Sequence, residues 1–135
     1  MKVWEAAYIA GIIDGEGSIT LTRMHKRENR RPCISISSND KEMLLYLQTI
    51  AGGEIYSKKN YNPGKHQDSY TLYFKKKIEV FYILEKTVDF LRVDKKRNRA
   101  KWILEKYNAV TPRNGKYSKK LLEKKMDFEE KFFQF

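Results

Sequence analysis

The hydrophobic and polar positions of the chain follow two periods, and these predict helices and strands in a regular order. Residues 4–14 are almost all apolar or small, which predicts a short helix buried on all sides. Apolar and hydroxyl-bearing residues then alternate over 18–22 and 33–38, a pattern typical of strands with one apolar and one polar face. Apolar residues at helical spacing predict a helix from about Asp40 to Ile50.

The rest of the chain repeats this order and indicates an α+β fold class. Gly52 and Gly53 end the second helix. The later elements are strands near 54–59 and 69–76, a turn at Pro63-Gly64, helices over about 77–90 and 95–109, and a last helix from near Ser118. The order α-β-β-α-β-β-α predicts a four-stranded antiparallel sheet with helices on its apolar face. We expect a single domain over residues 1–135, in which about 111–135 is a C-terminal helical extension.

The charge of the chain points to a polyanionic partner. Its 135 residues include 28 lysines and arginines against 17 acidic residues, so the formal net charge is +11. Nucleic acid is the first partner to consider, because lysine and arginine displace the counterions of phosphate backbones. A membrane surface is the weaker alternative, since the basic residues are spread over strands and loops. The longest apolar run is too short to span a bilayer, and we expect an intracellular protein without a targeting signal.

Cysteine and histidine are too few to build a metal centre. Cys33 is the single cysteine and is accompanied by His25 and His66 only, which excludes an internal disulfide and a zinc cluster. Cys33 falls in a predicted strand and is expected to be a small buried residue. Any metal would therefore have to be held by carboxylates.

Small residues and one carboxylate distinguish the first helix. Ala7, Gly11 and Gly15 lie four residues apart, with Ala10 beside them, so a second helix could approach closely. Packing against helices of the same chain is the alternative. Glu16 would follow the C-terminus of this helix, where the helix dipole disfavours an anion. A divalent metal or a nearby lysine would compensate for it; a solvated turn residue is the other interpretation.

Residues 9–17, Ile-Ala-Gly-Ile-Ile-Asp-Gly-Glu-Gly, resemble the LAGLIDADG motif of homing endonucleases, with Ile in place of Leu and Glu in place of the second Asp. The order of elements, the length and the basic charge agree with this resemblance over nearly the whole chain. It implies a four-stranded DNA-binding saddle. It also implies a homodimer, because the chain contains one copy of the motif, with the two first helices in contact. The interface residues would be Ala7, Ala10, Gly11, Asp14 and Gly15, and Asp14 would be structural.

The resemblance also implies a metal-dependent break in both strands of a long pseudo-palindromic DNA site. The metal ligands would be the carboxylate of Glu16 and the carbonyl oxygen of Gly15, a set that suits Mg²⁺ and could also accept Mn²⁺ or Ca²⁺. Attacking water would be organised by a polar residue after the second strand and by a lysine. The first is Ser38 or Asn39, which could equally be helix caps, and the second is Lys95 or Lys96, which could equally be solvated.

Recognition of duplex DNA would use the polar face of the sheet and the loop before the second strand. The candidates are Thr20, Thr22, Arg27, Arg30, Arg31, Ser35, Ser37, Tyr56, Lys58, Ser69, Thr71, Tyr73 and Lys75. The basic segment 116–125 is expected to contact phosphates or solvent.

Two other functions remain open on the sequence. A maturase of the same fold would bind its intron RNA without cutting, and an inactive relative would bind duplex DNA only. The acidic residue at Glu16 favours a site-specific endonuclease associated with an intron or intein over both.

Overall fold

Helices and strands alternate along the chain in the computed structural model, which describes residues 1–58, 61–62 and 64–135. The elements are α1 (Val3–Glu16), β1 (Gly17–Thr22), β2 (Arg31–Ser38), α2 (Lys41–Ala51), β3 (Glu54–Ser57), β4 (Tyr70–Phe74), α3 (Lys77–Thr87), α4 (Asp94–Lys106) and α5 (Lys119–Phe133), with 3-10 turns at Val88–Phe90 and Asn108–Val110. Within the described residues, none of these helices combines the length and the apolarity needed to cross a membrane.

The four strands form one antiparallel sheet in the order β1-β2-β4-β3. The two hairpins therefore meet through β2 and β4 in the centre of the sheet, and β1 and β3 are its edges. Ile34 pairs with Ile19 on one side and with Phe74 on the other, so that the apolar residues of neighbouring strands share one face. The predicted α+β fold class and element order are confirmed.

Helices cover only the apolar face of this sheet. Side chains of Ile34, Ile36 and Leu72 on this face are fully buried, and α1, α2, α3 and α4 all contact strands of the sheet. The alternation of the strands explains this arrangement, because residues two apart point to the same side. Burial of the aliphatic residues removes a continuous apolar surface from water and stabilises the layered fold.

The end of α2 shows why two glycines are needed there. Gly52 and Gly53 adopt φ values of 86° and 91°, a region that residues with a side chain rarely enter. The Gly53 N–H donates to a carboxylate oxygen of Glu79 at 3.0 Å, which links this turn to the first turn of α3. The predicted helix stop is confirmed.

Several predicted boundaries are wrong by a few residues. The first helix continues through Glu16, because the Gly17 N–H still donates to the carbonyl oxygen of Ile13. The predicted helix over 77–90 divides into α3 and a 3-10 turn. The predicted strand end at Lys59 and the turn residue Pro63 lie outside the described residues.

The C-terminal helix α5 packs against the same core as the rest of the chain. Phe128 and Phe132 are buried in the main apolar cluster, and the Trp102 ring stacks on that of Phe128 with a centroid distance of 5.9 Å. Lys125 lies within the basic segment that was expected to meet phosphates or solvent. That expectation is wrong for Lys125, which is fully buried and donates to the Thr111 hydroxyl at 2.6 Å.

Candidate active site and nucleic-acid interface

Glu16, the last residue of α1, lines a polar cavity at the end of the central strands. Glu16 is exposed and lines a cavity of about 310 Å³, here named the Glu16 cavity. Its other lining residues are Ser37, Ser38, Asn39, Asp40 and Ser69. The fold thus brings together three residues that were predicted to be catalytic, although Glu16 is more than 20 positions from Ser38 and Asn39 in the chain.

Three residues of the Glu16 cavity were not predicted to be part of the catalytic site: Asp40, Ser69 and Ser37, the last of which was predicted to contact DNA. Asp40 begins α2, and its backbone N–H donates to the Ser38 hydroxyl at 3.0 Å. Ser69 was predicted to contact DNA from a strand, whereas it precedes β4 and lies at the cavity wall. Their places follow from the antiparallel pairing of β2 with β4, which brings the end of one strand beside the start of the other. The Ser-Asn-Asp run could have indicated Asp40.

Lys96 provides the positive charge that the sequence analysis expected near Glu16. Its ammonium donates to the carbonyl oxygens of Ile13 and Asp14 at 2.8 and 2.7 Å, within the last turn of α1. A cation at this end of a helix interacts favourably with the helix dipole. The neighbouring Lys95 is exposed on the first turn of α4. The geometry thus brings Lys96 close to the carboxylate-bearing end of the helix.

Asp14 connects α1 to the start of α4. Its two carboxylate oxygens accept hydrogen bonds from the backbone N–H groups of Arg92 and Val93, at 2.9 and 3.1 Å. These donors immediately precede α4, so the contact sets the position of the helix that carries Lys96. Asp14 is therefore held in a structural contact within its own chain.

Hydroxyl pairs crosslink the polar face of the sheet. The Ser18 and Ser35 hydroxyls lie 2.8 Å apart, and those of Ser37 and Thr71 lie 2.9 Å apart. Such cross-strand pairs add to the stability of a sheet. Ser18 was not among the predicted DNA contacts, although it lies on the same face of β1 as Thr20 and Thr22. The prediction that Thr71 contacts DNA is wrong for this conformation, because Thr71 is 3% exposed and its hydroxyl bonds to Ser37.

An aromatic pair holds a lysine on the same face. The Lys75 ammonium lies 4.9 Å from the ring centroid of Tyr56 and 4.8 Å from that of Tyr73, distances typical of cation–π contacts. Glu54, which was not predicted, accepts a hydrogen bond from the Tyr56 hydroxyl, and this bond is the main reason that the pKa of Tyr56 is raised. The tyrosines thus position the lysine that was predicted to meet DNA.

Cys33 occupies the polar face without being exposed. It pairs with Thr20 of β1 and is 3% exposed, so the prediction of a small buried residue is confirmed. Burial raises the pKa of the Cys33 thiol, and the nearby positive charge of Lys75 partly opposes this effect. Cys33 is therefore an uncharged, buried packing residue among more polar neighbours.

The arginines before β2 differ in their surroundings. Arg27 is exposed, and Arg31 pairs with Glu28 at 3.0 Å while remaining exposed. Arg30 turns away from this group. It pairs with Glu129 of α5 at 3.3 Å and lies over the Phe133 ring, so that its guanidinium is engaged within its own chain, and its contact with DNA stays a prediction.

The remaining predicted contacts lie on or beside the polar face. Thr20 and Thr22 are half-buried on β1, next to the open edge of the sheet. Lys58 follows β3 and is exposed, and its backbone N–H donates to the carbonyl oxygen of Ser69 at 2.9 Å. Thr20, Thr22 and Lys58 therefore flank the hydroxyl pairs in the centre of the sheet.

One face of α1 is largely uncovered within the described chain. Trp4 and Tyr8 are 56% and 41% exposed, and an added Cβ at Gly11 or Gly15 would meet no atom within 4 Å. The prediction of a helix buried on all sides is therefore wrong for the single chain. The inclusion of Ala10 in a predicted interface is also wrong, because Ala10 is fully buried in the core of its own chain.

Comparison with known proteins identifies the family. The model of the LAGLIDADG-like domain matches residues 3–111, from the start of α1 to beyond α4. The chain belongs to the LAGLIDADG family. Helix α5 lies outside the matched range.

One relative and one solved structure are similar to this chain over different lengths. The intron-encoded DNA endonuclease ai2b of Dictyostelium discoideum is 28% identical over 81 residues, which are 60% of this chain and 30% of that relative. The match therefore spans less than a third of that relative's length. The homing endonuclease I-CvuI in complex with the I-CreI target superposes with a TM-score of 0.76 at 19% identity, over 97% of this chain and 81% of I-CvuI.

A longer homing endonuclease matches over about half of its own length. I-GzeII in complex with its DNA target superposes with a TM-score of 0.63 at 16% identity, over 96% of this chain and 44% of I-GzeII. At these identities the two structural matches show the LAGLIDADG fold, and this fold agrees with the predicted architecture.

Proposed function

We propose that this LAGLIDADG protein is a site-specific endonuclease that cuts both strands of duplex DNA as a homodimer with Mg²⁺, and that it is associated with an intron. The observation that carries the proposal is the position of Glu16. Glu16 lines a polar cavity at one end of a basic, uncovered sheet face, where a bound duplex would present its phosphodiesters. The names of the relative and of the solved structures agree with DNA cleavage as the activity.

The open face of α1 supports the homodimer. Ala7, Gly11 and Gly15 form an exposed strip of small residues, and Trp4 and Tyr8 flank it as exposed aromatic residues. The ring centroids of Tyr8 and of Tyr46 on α2 lie 5.9 Å apart, so that Tyr46 extends this exposed apolar surface. A second copy packed here by two-fold symmetry would bury these residues and bring the two Glu16 carboxylates together.

The donors around Glu16 fit a hard divalent cation. The side chains that line the Glu16 cavity offer carboxylate, hydroxyl and amide groups, and oxygen is the ligand that Mg²⁺ prefers. Among the described residues, no group of three or more His, Cys, Asp or Glu could hold a metal by itself. Glu16 and the Gly15 carbonyl would therefore share the ion with the partner copy and with DNA phosphates. When bound, the ion would lower the pKa of water and neutralise charge on the reacting oxygens.

The chain's own polar groups would orient water for the attack. Ser38 and Asn39 line the same cavity as Glu16, and Asp40 adds a carboxylate that can accept a proton or a hydrogen bond. Lys96 would act as a positioning residue, because its ammonium holds the last turn of α1 and so the direction of the Glu16 side chain.

Substitution of Glu16→Gln tests the proposal most directly. We expect the variant to bind duplex DNA as tightly as the parent and to lose Mg²⁺-dependent cleavage, because the amide keeps the shape but removes the ligand charge. Glu105→Gln, an exposed helix residue far along the chain, is the matched control and should cleave normally. Cleavage by Glu16→Gln at the parental rate would overturn the mechanism.

A selection from a randomised duplex library would supply the target site for these assays. With Mg²⁺ we expect double-strand cuts at one pseudo-palindromic sequence, and with EDTA we expect none. Tight binding without any cut would instead identify an inactive DNA-binding relative, and preference for structured RNA would identify a maturase.

A further inference from the structure

A second cavity lies at the end of the strands away from Glu16. It has a volume of about 240 Å³ and is here named the basic cavity; its lining residues are Met24, Arg31, Pro32, Lys75, Lys76, Lys77 and Tyr107. Strand β2 connects the two cavities, because it begins at Arg31 and its last residues, Ser37 and Ser38, line the Glu16 cavity. The two cavities therefore lie at opposite ends of β2.

Positive charge dominates the basic cavity. Four of its lining residues are cationic, and three of them are the consecutive lysines between β4 and the first turn of α3. In the described part of the chain no acidic residue lines it, although Glu28 pairs with Arg31 from outside at 3.0 Å. The four positive charges repel one another, and an anion with several oxygen acceptors bound among them would relieve this repulsion.

The surrounding groups hold these cations in place. The Lys77 ammonium lies 5.5 Å from the ring centroid of Phe81 and 5.7 Å from that of Tyr107, and Lys75 is held between two tyrosine rings on the polar face. The ring of Tyr107, which lines the basic cavity, also contacts the buried Lys125, whose ammonium lies 4.1 Å from the ring centroid. Lys76 is the N-cap residue of α3, and no side-chain hydrogen bond caps this helix. The positive end of the helix dipole therefore adds to the positive electrostatic potential of the basic cavity.

We propose that the basic cavity binds a phosphodiester of the DNA backbone and so anchors the outer end of each half-site. The inference rests on the proposed function, because it places the duplex along the polar face. The shared chemistry is a tetrahedral phosphate, for which lysine and arginine are suitable donors. A concave site with cations on several sides fits a phosphate better than a base edge.

The position of the contacted phosphate follows from the length of β2. Arg31 and Ser37 are separated by six residues of one strand, which corresponds to about 20 Å at roughly 3.3 Å per residue. For a duplex whose axis runs parallel to β2, this distance equals about six base pairs at roughly 3.4 Å per step. We therefore expect the anchored phosphate about six base pairs from the cleaved bond.

The first test measures binding and does not require cleavage. A 30-base-pair duplex of random sequence is titrated with the full chain over a range of salt concentrations. Lys76→Gln and Lys77→Gln should each reduce the slope of log affinity against log salt by about one, with about tenfold weaker binding near 0.1 M salt. Lys101→Gln, an exposed lysine on α4, should leave the slope unchanged. Parental slopes for both cavity variants would overturn the inference.

The second test locates the phosphate and separates the two possible sources of it. Each phosphate of the selected half-site is replaced in turn by an uncharged methylphosphonate. One replacement about six base pairs from the cut should weaken binding of the parent and have no further effect on Lys76→Gln. Inorganic phosphate is titrated in parallel against the free protein and followed by NMR of the cavity residues. Saturation by free phosphate, with no sensitive DNA position, would assign the cavity to a soluble anion and reject the DNA anchor.

Discussion

The ammonium of Lys96 lies 2.7 Å from the carbonyl oxygen of Asp14 and donates a hydrogen bond to it. These residues are 82 positions apart, and the contact joins the start of α4 to the last turn of the helix that ends in Glu16. The Asp14 carboxylate in turn accepts two backbone hydrogen bonds from the residues that precede α4. The segment from Arg92 to Lys96 therefore holds the last turn of the helix that ends in the proposed catalytic residue Glu16.

Replacement of Lys96 by Met should destabilise the protein and impair cleavage. The change removes a charge and two hydrogen bonds from a half-buried site, so we expect a loss of about 2 kcal/mol in the free energy of unfolding. Urea denaturation and a cleavage assay measure the two effects. Lys95→Met is the matched control and should change stability by less than about 0.5 kcal/mol, because Lys95 is exposed. Loss of cleavage in Lys95→Met with normal activity in Lys96→Met would assign the active-site lysine to Lys95 instead.

Replacement of Gly11 by Leu should separate the chains without unfolding them. A side chain at this position meets nothing within 4 Å in the single chain, and leucine favours a helix over glycine by about 1 kcal/mol. In the proposed dimer the same side chain would push the two copies of α1 apart. We expect a monomer by sedimentation equilibrium, an unchanged or higher melting temperature, and loss of double-strand cleavage. Lys101→Leu on α4 should remain dimeric, and a dimeric, active Gly11→Leu would contradict the interface.

The two arginines Arg27 and Arg30 should respond differently to truncation. Arg30→Ala breaks the ion pair with the largely buried Glu129, so we expect a loss of about 1–2 kcal/mol in stability with an unchanged salt dependence of DNA binding. Arg27→Ala should leave stability unchanged and reduce the salt slope by about one if its exposed side chain meets a phosphate. A reduced slope for Arg30→Ala alone would mean that the loop rearranges on DNA.

The buried Lys125 should make stability depend on pH. Burial lowers the pKa of Lys125 to about 8, while Glu129 opposes the shift and Lys77 adds to it. Below about pH 8 the residue is charged in the folded and unfolded states, and the burial penalty is fully present. Between about pH 8 and 10.5 the folded state binds fewer protons than the unfolded state, so this residue's contribution to the free energy of unfolding rises with pH.

Lys125→Met isolates that contribution. The difference in unfolding free energy between the variant and the parent should shift in favour of the parent as the pH rises through this range, by at most about 1.4 kcal/mol per pH unit. Lys124→Met, at the adjacent exposed position, should show a difference that does not change with pH. A constant difference for Lys125→Met between pH 7 and 10.5 would show that the lysine is not charged and buried as described.

The sequence by itself determined the order of elements, the two faces of the sheet and the family. Alternation places Ser35 and Ile34 on opposite sides of β2 whatever surrounds them, because successive residues of a strand point in opposite directions. The glycines after α2 end a helix through their own backbone freedom. The nine residues 9–17 carry the family motif, since the pattern is local and contiguous.

Tertiary structure alone decided which side chains are free to act. Arg27 and Arg30 look equivalent in sequence, yet Glu129, 99 residues further along, takes up Arg30. Lys95 and Lys96 are neighbours, and only the approach of the start of α4 to the last turn of α1 brings the second to the helix end. Thr71 follows the alternation, but the strands on both sides bury it. The surroundings of these three side chains depend on contacts between segments that are distant in the chain. These contacts form only in the folded protein, so the local sequence does not indicate them.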